Sequence, residues 1–101
     1  MSGLGIEDVR AEIDALDSEI VRLIAQRQRW VVEAGTLKQD RGQVRAPDRV
    51  AKVIAKVRDL AETSGASPDV VERTYRAMID AFIDLELSVH ERRRGPSVSE
   101  V

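Results

Sequence analysis

The chain has no cysteine. Disulfides and thiolate zinc sites are therefore excluded. Aromatic residues are scarce, one each of Trp30, Tyr75 and Phe82, so any core must be aliphatic. There is one histidine, His90, and no cluster of ligand residues to hold a metal. No apolar run approaches the ~18 residues of a membrane span, and the N-terminus lacks a signal-peptide pattern. A cytoplasmic protein is the expectation. The net charge of −2 gives no global basic field to attract nucleic acid. What remains is a chain of 101 residues, enough for one domain with a modest core. Its hydrophobic content of 43% and charged content of 34% suit a globular helical protein.

The three prolines each fall at a boundary, and apolar residues recur at helical spacing between them. Ile6, Val9, Ile13, Leu16, Ile20 and Leu23 form a stripe at steps of three and four. Arg27 then interrupts it, and Trp30, Ala34 and Leu37 resume it. This predicts a first helix from Ile6 to Lys38 or Gln39, with Glu7 and Asp8 suited to its first turn. Gly35 is its one flaw, at some cost in helix propensity. A polar loop is expected over residues 39–47. Pro47 fits the first position of a second helix, which carries Val50, Val53, Val57 and Leu60. Gly65 can stop that helix and Ser67 can cap the next. A third helix runs from Pro68 to about Arg93, with Val71, Tyr75, Met78, Phe82, Leu85 and Val89 as its stripe. No strand pattern competes. The expected organisation is a frayed N-terminus over residues 1–5, an all-α three-helix domain over 6–93, and a flexible tail over 94–101.

A helix over residues 6–38 is about 50 Å long. A compact monomer of this length has a radius of gyration of only about 13 Å. The first helix therefore needs a second surface for its stripe, and another copy of the chain is the simplest supplier. A short coiled coil with nothing inside explains the same periodicity.

The cations argue for more. Arg27 and Lys38 are three helical turns apart, at nearly one azimuth and about 16 Å along the axis, so two long side chains can share one small anion. No Asp or Glu stands three or four residues from Arg27; its neighbours there are Leu23, Ile24, Trp30 and Val31. Arg10 lies about 25 Å from Arg27 and is rotated by roughly 100°. It can reach the same ligand only from a partner chain. Arg49 adds a fourth cation at the start of the second helix. Buried cations need an anion, and bidentate guanidinium groups suit a ligand with more than one carboxylate. For each cation taken singly, an Arg–Glu structural pair is the competing reading.

The segments VRAEIDALDSEIVRLIAQR, VVEAGTLK, APDRV and YRAMIDAFIDLE carry a resemblance. Together the chain from Ile6 to His90 resembles the all-α (AroQ-type) chorismate mutase family. The resemblance implies an intertwined homodimer with two active sites and no cofactor. It implies that Arg10 is donated by the partner chain, that Arg27 binds a substrate carboxylate, and that Lys38 contacts carboxylate and ether oxygen. Arg49 matches a further active-site arginine, and Phe82 is placed with the substrate contacts. Chorismate is a dianion, and its Claisen rearrangement to prephenate moves no proton, so positioning and fixed positive charge suffice. His90 reads as a solvated surface residue.

Two positions depart from the family pattern. Many members have a glutamate after the arginine of the second helix; here it is Val50. Many have a glutamine eleven residues after the helix-three aromatic; counted from Tyr75, this is Glu86. A carboxyl can hydrogen-bond the ether oxygen only when protonated, so Glu86 is expected to act as a neutral acid. The plainer reading of Glu86 is a solvent-facing helix residue. Val50 leaves three substrates open: chorismate, isochorismate as in isochorismate pyruvate lyase, and 4-amino-4-deoxychorismate. Outside catalysis, a helical dimerisation module and a metabolite-sensing binder fit the same stripe and cations. The Arg92–Arg94 run suits a helix C-terminus better than nucleic acid.

Overall fold

The computed structural model describes residues 3–38 and 40–93. The described residues form helices and connections, with no strand among them. Helix α1 spans Ile6–Leu37, α2 Arg41–Arg45, α3 Pro47–Ser64 and α4 Pro68–Arg93. The three long helices stand where the periodicity put them. The expected tail over 94–101 lies outside the described residues, as do Met1 and Ser2 and the side chain of His90.

The chain divides inside α1 into two units, Met1–Trp30 and Val31–Val101. In the first unit, Gly5 N–H donates to Asp8 Oδ2 at 2.9 Å, which fixes the helix start with a carboxylate where the dipole favours one. Surface pairs such as Arg22–Glu19 brace the polar side. That pair holds the Glu19 carboxyl below its ordinary range. The apolar stripe of this unit is exposed. Ile6, Val9, Ile13, Leu16, Ile20, Leu23 and Ile24 are all exposed, and Trp30 is 70% exposed.

The second unit has a core of its own. Val53, Ile54 and Val57 of α3 pack with Ile79 of α4, and Val50, Val71, Tyr75 and Ile83 close around them. The hairpin turn follows from sequence. Gly65 takes the left-handed conformation at φ 80°, which glycine adopts without a steric cost, and its N–H closes onto Ala61 and Glu62 carbonyls. Ser67 Oγ then accepts from Val70 N–H at 3.3 Å and starts α4. Outside the core, Arg58 of α3 ties two carboxylates of α4. Its Nη1 donates to Glu72 Oε1 at 2.6 Å and to Asp69 Oδ1 at 3.1 Å.

The expected loop between the first two long helices contains one more element. Asp40 caps α2 by accepting from Gln43 N–H at 2.9 Å, and α2 packs on α4. Val44 is the reason the turn forms: it is 2% exposed and brings one apolar side chain to a polar segment. The segment leaves α2 through Ala46, at φ 38° and ψ 62°. That region costs a non-glycine residue about 1–2 kcal/mol, and a residue before proline also disfavours helical backbone. The fold holds it there. Ala46 N–H donates to Gly42 O at 3.1 Å, and Ala46 O accepts from Val50 N–H at 3.0 Å, so the bend is tied to both helices.

Candidate active site

The second unit brings Lys38 and Glu86 together. Lys38 follows the last residue of α1, and Glu86 lies in the C-terminal half of α4, 48 residues later. Lys38 Nζ donates to Glu86 Oε2 at 2.8 Å. The bond is charge-assisted and short. Glu86 is only 6% exposed, the one charged residue among the buried residues described. The plainer reading, a solvent-facing helix residue, is corrected here. Glu86 follows Phe82 of the α4 stripe by four residues, so helical spacing places it on the same face. Leu87 is also buried, and the buried face of α4 is broad enough to include both.

Phe82 stands one turn before Glu86 on the same face and is 8% exposed. Gly35 is buried in the last turn of α1, and its carbonyl accepts from Lys38 N–H at 3.3 Å. From the sequence, Gly35 counts as a cost in helix propensity and as part of VVEAGTLK, with no role at the site. The usable signal was a glycine three residues before the candidate lysine, in a helix with no other reason to weaken.

Arg49 is exposed in the first turn of α3, just past the Ala46 bend. Val50 is half-buried and packs against the Val53–Ile54–Val57–Ile79 cluster. Its position presents methyl groups and no charge. Arg10 and Arg27 belong to the first unit. Arg10 Nη1 donates to Glu7 Oε2 at 3.1 Å, both side chains being well exposed. Such a pair is worth about 0.3 kcal/mol and holds the guanidinium weakly. Arg27 is half-buried, whereas the stripe residues on either side of it are exposed.

Among the described residues, no group of three His, Asp or Glu is placed to hold a metal ion. No described helix is long and apolar enough to cross a membrane. What the second unit offers chemically is an ammonium beside a buried carboxyl.

Comparison with known proteins fits that chemistry. Residues 9–87 match the family described as chorismate mutase type II. The chain is 29% identical over 91 residues to an isochorismate pyruvate lyase of Pseudomonas aeruginosa, with 90% of each chain covered. It is 36% identical over 72 residues to a T-protein of Haemophilus influenzae, covering 70% of this chain but 19% of that protein. A bifunctional chorismate mutase/prephenate dehydratase of Aquifex aeolicus is 26% identical over 98 residues, 27% of its length. The match over residues 9–87 takes in Arg10, Arg27, Lys38, Arg49 and Glu86, so the chain belongs to the chorismate mutase type II family and is an enzyme of the chorismate mutase type.

Proposed function

We propose that the protein converts chorismate to prephenate, as a cytoplasmic homodimer whose two sites are each completed by the partner chain. The observation that carries this reading is the Lys38–Glu86 pair, an ammonium held at 2.8 Å from a buried carboxyl. The rearrangement needs a folded conformer of a dianion and positive charge where the breaking C–O bond leaves negative charge. Preorganised charge at that oxygen is the larger contribution, and holding the bent conformer supplies the rest. Lys38 serves the ether oxygen. Arg27 and Arg49 grip carboxylates, and Arg10 enters from the partner. Glu86 Oε2 faces Lys38, so Oε1 is the atom that would carry a proton when the carboxyl donates to the ether oxygen. Phe82 supplies an apolar wall.

The exposed stripe supports the dimer. Eight large aliphatic side chains from Ile6 to Ile24, Val21 among them, and the ring of Trp30 are exposed in the single chain. Covering them by a second copy would bury a continuous face.

A second reading has its own support. Val50 gives no carboxylate to read a ring hydroxyl, and the lyase relative aligns along 90% of both chains. The aminated analogue of chorismate is the third substrate compatible with Val50.

The deciding experiment offers each of the three substrates separately to the purified protein and follows prephenate, pyruvate and the amino product. Prephenate from chorismate is expected as the fastest conversion. Lys38→Ala should lower its kcat by roughly 10²–10³-fold, the usual loss when one charge-stabilising donor is removed. Faster pyruvate release from isochorismate replaces the first reading by the second. No conversion of any substrate removes both.

A further inference from the structure

Glycine weakens a helix relative to alanine, yet Gly35 stands inside α1, two residues before its end. Backbone geometry does not require it. The described residues with left-handed φ are Gly3, Ala46 and Gly65, and Gly35 is not among them. Alanine could adopt the same φ and ψ. What excludes a side chain is space. A Cβ on Gly35 would lie 3.1 Å from Glu86 Oε2, 3.4 Å from its Cγ and 3.6 Å from its Cδ. The three nearest atoms all belong to one side chain, and none is α4 backbone. The missing methyl therefore makes room for a carboxyl group rather than for close approach of two helices.

The same oxygen is gripped from a second side. Lys38 Nζ donates to Glu86 Oε2 at 2.8 Å, and Lys38 N–H is tied back to the Gly35 carbonyl at 3.3 Å. One turn at the end of α1 thus sets both the floor beneath Oε2 and the cation beside it. Glu86 is 6% exposed and has little freedom to move aside. We propose that Gly35 is a positioning residue, whose lack of a side chain fixes the depth and direction of the Glu86 carboxyl so that it meets Lys38. Its consequence for turnover rests on the reading of Lys38 and Glu86 as the pair that serves the reacting oxygen. Its consequence for the carboxyl does not.

In Gly35→Ala, the carboxyl must give way by a few tenths of an ångström. A fixed-charge site is sensitive to displacement of its charges, whereas carboxylate binding by the arginines is untouched. The expected result is a kcat about tenfold lower with KM changed by less than about twofold, a split that a general loss of folded protein does not give.

The test is a cycle of Gly35→Ala and Glu86→Ala, alone and together, read by kinetics and by thermal unfolding at one protein concentration. With Glu86 removed, the three atoms nearest the added methyl are gone and the helix gains propensity, so Tm should rise by about 4 °C. With Glu86 present, Tm should not rise. If Glu86→Ala fails to fold, Glu86→Asp withdraws the carboxyl by one methylene and takes its place. An equal rise of Tm in both backgrounds overturns the proposal, as does unchanged kcat in Gly35→Ala of an active enzyme. Should the unsubstituted chain turn over none of the three substrates, the proposed function fails, and the Tm cycle alone still decides the role of Gly35.

Discussion

The two units use the same kind of helix to opposite ends. In residues 31–101, an apolar stripe at steps of three and four is covered: Val53, Ile54 and Val57 meet Ile79, and each is below 10% exposed. In residues 1–30, a stripe of the same spacing and similar residues stays in water, with Leu16 at 60% and Ile20 at 51%. Periodicity predicts an apolar face equally well in both. It says nothing about where the covering surface comes from. The second unit finds its cover within itself, whereas the stripe of the first unit stays exposed. At ~25 cal/mol per Å² of apolar area, leaving such a face in water forgoes a large part of the burial available to a chain this short.

Breaking that comparison has the largest expected effect. Ile13→Glu combined with Ile20→Glu places two carboxylates per chain on the stripe. Burying an unpaired charge is costly, and each 1.4 kcal/mol is about a tenfold change in affinity. The dimer dissociation constant should rise by roughly three orders of magnitude or more, as read by sedimentation equilibrium. An unsubstituted chain that sediments as a monomer at micromolar concentration ends the dimer proposal. So does a doubly substituted chain that still dimerises as tightly as the original.

The next effect is smaller but more specific. If Arg10 serves the partner's site, Arg10→Ala and Lys38→Ala inactivate different halves of it. Each variant alone should be nearly inactive. Unfolded together in equal amounts and refolded, about half the dimers are mixed, and each mixed dimer holds one complete site and one doubly impaired site. About a quarter of the original turnover should return. No recovery above the two separate variants means that Arg10 acts on its own chain or not at all.

Much of this fold was legible because its helices carry conventional punctuation. Pro47, Gly65, Ser67 and Pro68 marked their boundaries correctly, since each acts through its own backbone or through a partner within three or four residues. The short α2 was not legible. Its five residues, Arg41–Arg45, include a glycine and one apolar side chain, and only the burial of Val44 by tertiary packing makes the turn worthwhile. Lys38 was singled out by its three-turn spacing from Arg27 and Glu86 by the pattern of a family, and the structure joins them across 48 residues. Spacing put Glu86 one turn after Phe82, but the extent of its burial depends on the end of α1, which the α4 sequence does not contain. Gly35 was read for its helix propensity, which is local, whereas the space it leaves is filled by a residue 51 positions away.

The smallest expected effect sharpens the comparison from the self-sufficient side. Glu72 of α4 accepts from Arg76 Nε at 2.7 Å and from Arg58 Nη1 at 2.6 Å. Arg76, then Arg58, holds the Glu72 carboxyl below its ordinary range. A carboxylate whose folded-state value is depressed contributes stability above its unfolded value and loses it as pH falls through the folded one. The difference in Tm between the original chain and Glu72→Gln should therefore be present at neutral pH and shrink below about pH 4.3, near the unfolded glutamate value. It should be on the order of 2 °C at most, because the arginines are partly exposed and water and salt screen them. Raised salt should shrink it further. The cross-helix bond from Arg58 to Glu72 joins α3 to α4 of one chain, so the increment should not change with protein concentration, whereas the absolute Tm of a dimer should. An increment that grows with concentration would mean that this hairpin, too, depends on a second copy, and the contrast between the two units would fall.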